Sequence, residues 1–135
     1  MKNTIAIAGS FLLAAGCASA GTDNYEMSER VAERLSKFTA TGETETCLSL
    51  SRIRSITPLD ERHFLVEANV GDYYLNRVSG SCFGAARPGN RIQYTVSGGQ
   101  LCRNEIINVV DNTSGIPGGS CGLGSYERLE KVETQ

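Results

Sequence analysis

Hydrophobic positions along this chain change their spacing from region to region, and each spacing predicts a different element. Residues 5–15 run Ile-Ala-Ile-Ala-Gly-Ser-Phe-Leu-Leu-Ala-Ala behind one positive charge at Lys2. That apolar run is shorter than the roughly 20 residues of a permanent bilayer-spanning helix. Its order, charge then apolar core, predicts a secretory signal peptide over residues 1–20. Residues 22–39 then carry Met27, Val31, Leu35 and Phe38 at spacings of four, four and three, which is one stripe of a helix. Asp23 with Glu26 has the spacing of a capping box and predicts its start. Glu26, Glu29, Arg30, Glu33 and Arg34 fall elsewhere on that helix and read as its solvated face. Thr39 to Thr46 lacks apolar anchors and holds a glycine, so it predicts a tether. Residues 21–46 are thus helix and tether, and residues 47–135 the body.

From Cys47 onward the period becomes two. A first strand is predicted over 48–56, with a bulge near Ser51 or Arg52 where Ile53 falls out of phase with Leu48 and Leu50. Pro58 to Glu61 is a turn. Phe64, Val66, Ala68 and Val70 mark a second strand, and Gly71-Asp72 a hairpin turn. Tyr73, Leu75 and Arg77 alternate with Tyr74, Asn76 and Val78 along a third. A loop from Ser79 to Asn90 carries Cys82. Ile92, Tyr94 and Val96 mark a fourth strand, Gly98-Gly99 turns it, and Leu101 to Asp111 forms a fifth, buried on both faces. Ser114 to Gly124 reads as a glycine-rich loop and Tyr126 to Val132 as a short sixth strand. The predicted fold is mainly β: a small antiparallel barrel or sandwich of five to six strands, one N-terminal helix and two disulfides.

Composition narrows the function classes. The 135 residues suit one domain, and 13 basic against 15 acidic residues give a net charge of −2. Arg52 and Arg54 on the first strand, near Tyr73 or Tyr74, resemble an oligonucleotide-binding surface. Net acidity and export argue against it, and ion pairs of these arginines with Glu67 or Asp60 explain them more simply. No nucleic-acid partner is expected.

The five cysteines change the picture most. Two cleavage sites compete at the N-terminus: Ala18-Ser19-Ala20 for ordinary signal peptidase, and Leu13-Ala14-Ala15-Gly16-Cys17, which resembles a lipobox with Ala14 in place of the usual Leu. Cys47, Cys82, Cys102 and Cys121 form an even set that pairs fully in an oxidising compartment, leaving Cys17 over. Parity therefore favours lipidation of Cys17 and a membrane anchor through that lipid. Ala18 resembles the sorting pattern of an outer-membrane lipoprotein facing the periplasm. No two cysteines are closely spaced, and His63 is the chain's single histidine, so no metal site or cofactor is expected. If the strands form a meander, strand ends favour Cys47–Cys102 and Cys82–Cys121. Cys47–Cys121 with Cys82–Cys102 stays open for other topologies.

No catalytic constellation emerges. His63, beside Asp60, Glu61 and Arg62, lacks a Gly-x-Ser-x-Gly nucleophile and reads as a surface histidine. Gly118, Gly119, Gly122 and Gly124 do not match a phosphate loop and read as positive-φ positions around a disulfide. The leading expectation is an exported binding or envelope-interaction module with an envelope protein as a possible partner. The alternative is a small periplasmic enzyme or enzyme inhibitor with a polar site at a barrel mouth, built from Arg52, Arg54, Asp60, Tyr74 and Asn76.

Several stretches together carry a family resemblance. They are Cys47-Leu-Ser-Leu, Ile53 with Asp60, Gly71-Asp-Tyr-Tyr-Leu-Asn76, Cys82-Phe-Gly, Ile92-Gln-Tyr94, Leu101-Cys102 with Glu105-Ile106, and Gly119-Ser-Cys121-Gly-Leu-Gly-Ser-Tyr126. Across residues 47–126 the chain resembles a bacterial family of uncharacterised exported proteins, domain of unknown function 6491. The resemblance implies export, a four-cysteine body and a β-rich fold, and it implies no substrate.

Overall fold

A computed structural model of the chain describes residues 26–133. The signal segment, Cys17 and Asp23 lie outside the described residues. A helix, α1 (Glu29–Leu35), comes first. The described strands are β1 (Phe38–Glu45), β2 (Cys47–Ser49), β3 (Ile53–Pro58), β4 (His63–Ala68), β5 (Asp72–Arg77), β6 (Asn90–Tyr94), β7 (Gln100–Cys102), β8 (Ile106–Asp111), β9 (Pro117–Gly122) and β10 (Tyr126–Lys131). They form three antiparallel sheets, ordered β1-β10-β5-β4-β3, β2-β7 and β6-β8-β9.

The five-stranded sheet is the middle layer. Side chains alternate across a strand, so Phe64, Val66 and Ala68 of β4 share a face with Tyr74 and Asn76 of β5. That face packs on Leu48 of β2, Leu101 of β7, Ile107 and Val109 of β8 and Cys121 of β9. The opposite face presents Leu65, Leu75 and Leu129, against which Leu35 of α1 and Phe38 of β1 pack. The result is a sandwich-like body with small sheets on one side and a helix on the other. Among the described residues no barrel closes, because β1 and β3 remain the two edges of the large sheet.

Several predicted boundaries move, each for a local reason. The helix is shorter than residues 22–39 and is capped by Ser28, whose Oγ accepts from Val31 N at 3.4 Å. The expected tether is β1, an edge strand whose partner β10 pairs Phe38 with Lys131 and Glu45 with Tyr126. The expected first strand is two strands in two sheets. Leu50 to Arg52 form a turn between them, and the bulge falls one step later, between Ile53 and Ser55. The second hairpin turns through Asn69, Val70 and Gly71, with Asn69 and Gly71 at φ 51° and 90°. Ala68 already pairs Asp72, which leaves Val70 82% exposed at the tip and not in the strand. The expected fifth strand breaks at Asn104, φ 70°, and Ile106 just beyond it is exposed. Burial on both faces begins only after that residue.

The glycine-rich segment contains β9. Gly119 and Gly124 serve by their lack of a side chain and not by positive φ. A Cβ on Gly119 would sit 2.6 Å from Phe83 N, and one on Gly124 would sit 2.1 Å from the Arg77 carbonyl oxygen.

The disulfides join Cys47 to Cys102 and Cys82 to Cys121, with Cα separations of 4.0 and 5.0 Å. These are the pairs that strand ends favour, but the cause is not a meander. Cys47 and Cys102 face each other directly on the β2–β7 ladder. Arg103 N donates to the Thr46 carbonyl at 2.8 Å, so the cysteines occupy the neighbouring non-hydrogen-bonded pair, where side chains lie closest. Cys82–Cys121 pins the 79–90 loop onto β9, beside the Ser79–Gly122 bridge.

Candidate functional site

Of the five residues predicted to share a polar site, the structure brings two together. Tyr74 points inward from β5, and its hydroxyl donates to Glu45 Oε1 at 2.6 Å. Arg52, in the turn before β3, donates through Nη2 to the same hydroxyl at 3.2 Å. Its Nη1 lies 3.6 Å from Glu45 Oε2. Burial, then the bond to Glu45, pushes the Tyr74 phenol above its ordinary range. The Tyr74 hydrogen bond, with Glu45 behind it, raises the Arg52 guanidinium against a smaller opposing effect of burial. A phenol held neutral donates a hydrogen bond and does not act as a base. The cluster ties the end of β1 to β5 and the β2–β3 turn, and Arg52 pairs with Glu45 in place of the expected Glu67 or Asp60.

The other three residues stand apart. Asn76 is fully buried two residues along β5, where it donates to the Gly124 carbonyl and accepts from Gly124 N, both at 2.8 Å. Asp60 sits beyond the far end of β3 from Arg52. Its Oδ1 accepts from the backbone N of Arg62 and of His63, each at 2.7 Å, and lies 3.0 Å from His63 Nδ1. His63 is buried, contrary to the expected surface histidine. It and Asp60 shape the β3–β4 turn. Arg54 is exposed on the bulge of the edge strand β3. With no barrel mouth to gather them, these side chains do not make one site.

A different place gathers charge. Between α1 and the outer face of the large sheet lie two adjoining cavities of about 410 and 300 Å³, within the size range of small-molecule sites. Arg34, Lys37 and Thr57 line both. Arg30 and Glu33 border the larger cavity, and Lys131 and Glu67 the smaller. Four cations thus face two carboxylates on a chain that is acidic as a whole. Among the described residues, Arg30, Arg34 and Lys37 have no ion pair or side-chain hydrogen bond, whereas Arg77 pairs with Glu127 and Arg128 with Asp72. Lys131 stands 5.2 Å over the Tyr73 ring, which itself packs 5.0 Å from Phe38. The larger cavity has an apolar floor of Val31, Pro58 and Leu59.

Local folding builds this cleft. Val31 and Leu35 turn inward at helical spacing, which places Arg30 and Arg34 on the flank of α1. Ser36 ends the helix, and the chain re-enters the sheet as β1, carrying Lys37 to the cavity wall. Lys131 arrives from β10 because that strand pairs with β1. The helix repeat marks Arg30 and Arg34 as solvated, but no local signal places Lys37, Thr57 and Lys131 beside them.

Among the described residues, no helix is long and apolar enough to cross a membrane, and no cluster of His, Cys, Asp and Glu stands ready for a metal ion. Residues 1–133 match the family described as Family of unknown function (DUF6491). No curated protein and no solved structure matches the chain.

Proposed function

We propose, from the premise that the chain belongs to the Family of unknown function (DUF6491), that it is an exported binding module of the bacterial envelope. In this reading a lipid on Cys17 holds it to the outer membrane, and the body faces the periplasm. The binding surface is the cleft between α1 and the large sheet. One observation carries the choice of surface: Arg30, Arg34 and Lys37 converge on a cavity without the carboxylate partners that Arg52, Arg77 and Arg128 have. Unpaired cations beside a recess are free to take a ligand, whereas the Arg52–Tyr74–Glu45 cluster is occupied in holding the fold. Export is supported by the apolar segment behind Lys2 and by two disulfides, which persist in oxidising compartments.

Photo-crosslinking in intact cells tests the surface. A photoreactive residue replacing Lys37 is expected to capture a ligand or envelope component, and one replacing Ile116, exposed beside β9 of the small sheets, is not. Equal capture from both positions, or none from position 37, contradicts the assignment.

A further inference from the structure

The cleft has a chemistry specific enough to name a class of ligand. We infer that it binds a phosphate group carried on an apolar body, with the phosphate on Arg30, Arg34 and Lys37 and the apolar part against Phe38, Leu65 and Tyr73. The inference rests on the reading of the chain as a binding module and is independent of its lipid anchor.

Charge and geometry favour phosphate. A single carboxylate is satisfied by one guanidinium fork, but a phosphate offers several acceptor oxygens and up to two charges, enough for several cationic groups. Arg30 and Arg34 are one helical turn apart and Lys37 follows less than a turn later, so the three line one wall. Arg34 also lies in the last turn of α1, where a cation complements the helix dipole. That role accounts for neither Arg30 in the first turn nor Lys37 beyond the cap. The apolar requirement comes from the smaller cavity, which shares Arg34 and Lys37 with the larger one and adds Phe38, Leu65 and Tyr73. A ligand that spans both cavities therefore meets Arg30, Arg34 and Lys37 at one end and rings, with Lys131 over Tyr73, at the other. Glu33 and Glu67 repel a bare polyanion but accept from hydroxyl or ammonium groups next to the phosphate. Membrane phospholipids and soluble phosphate esters both carry this combination.

Calorimetric titration of the purified chain, with both disulfides intact, separates the alternatives. The probes are dihexanoyl-phosphatidylglycerol below its micellar concentration, inorganic phosphate and n-hexyl glucoside. Dihexanoyl-phosphatidylglycerol is expected to bind at least about tenfold more tightly than the other two. Phosphate of equal affinity would remove the apolar body from the inference and point to free phosphate as the source. Hexyl glucoside of equal affinity would remove the phosphate. Arg34→Gln with Lys37→Gln, and separately Arg30→Gln, are expected to weaken the lipid by about tenfold or more, with the urea midpoint unchanged in Arg30→Gln and only slightly lower in the double variant, which loses the cation at the helix end. Arg128→Gln, outside the cleft, is expected to bind as the wild type does. Failure of dihexanoyl-phosphatidylglycerol to bind overturns the inference. If crosslinking from position 37 still captures a protein, the binding-module reading stands without it.

Discussion

At the scale of single residues, the polar interior is structural and its removal has a sign and a size. Asn76 makes two hydrogen bonds to Gly124 from a fully buried position. Asn76→Ala leaves the partly buried peptide N–H and C=O of Gly124 without these partners and is expected to cost about 1–3 kcal/mol, read from urea unfolding. A loss under about 0.5 kcal/mol would mean that water replaces the amide freely. Two tyrosines make stability depend on alkaline pH. Burial, then the charge of Glu105, raises the Tyr126 phenol, whose hydroxyl donates to the Leu101 carbonyl at 3.1 Å. Burial and Glu45 raise Tyr74 in the same direction. Both shifts favour the neutral phenol in the folded chain. The unfolded chain releases these protons near pH 10. Their contribution is therefore complete below about pH 10 and is lost as pH rises above it. Urea midpoints are expected to fall above about pH 10, and less steeply in Tyr126→Phe; a flat profile contradicts the burial.

Secondary-structure elements show where sequence patterns speak and where they fall silent. The β4–β5 hairpin is legible because its alternation is clean and its partner is local. The edge strand β1 is not. Its central six residues are exposed, so burial imposes no alternation, and its partner β10 lies at the other end of the chain. The one local signal is Thr39, Thr41 and Thr44, whose β-branched side chains suit a strand. Strand β9 is hidden by glycines that read as a loop, of which Gly119 is required by the close passage of Phe83. The cleft is half legible for the same reason: α1 supplies two of its cations at helical spacing, whereas Lys37 lies past the helix cap and Lys131 arrives from β10 by long-range pairing with β1. Seven residues do not make a stable helix alone, so α1 depends on its seat. Val31→Ala is expected to cost about 1.5–2.5 kcal/mol from its lost contacts and to speed amide exchange in α1 more than in β4. Uniform exchange across both elements would contradict an independently seated helix.

On the scale of the whole molecule, covalent bracing and export belong to one account. The disulfides close loops with sequence separations of 55 and 39 residues. In the chain-entropy view each contributes about 4 kcal/mol, a large share of the 5–15 kcal/mol typical of a domain. Cys47→Ser with Cys102→Ser is expected to lower the urea midpoint about as far as the Cys82/Cys121 double change, and either loss should leave a chain only marginally folded. The anchor is tested separately by labelling with radioactive fatty acid: the wild type takes label, Cys17→Ser does not, and an unlabelled wild type rejects lipidation. The oxidised state of the body bears on the account most directly. In cells quenched with acid, whose protein is then denatured and alkylated at neutral pH before any reduction, Cys47, Cys82, Cys102 and Cys121 should escape alkylation, and unreduced peptide maps should show Cys47 joined to Cys102 and Cys82 to Cys121. Recovery of those four cysteines in alkylated form would contradict it.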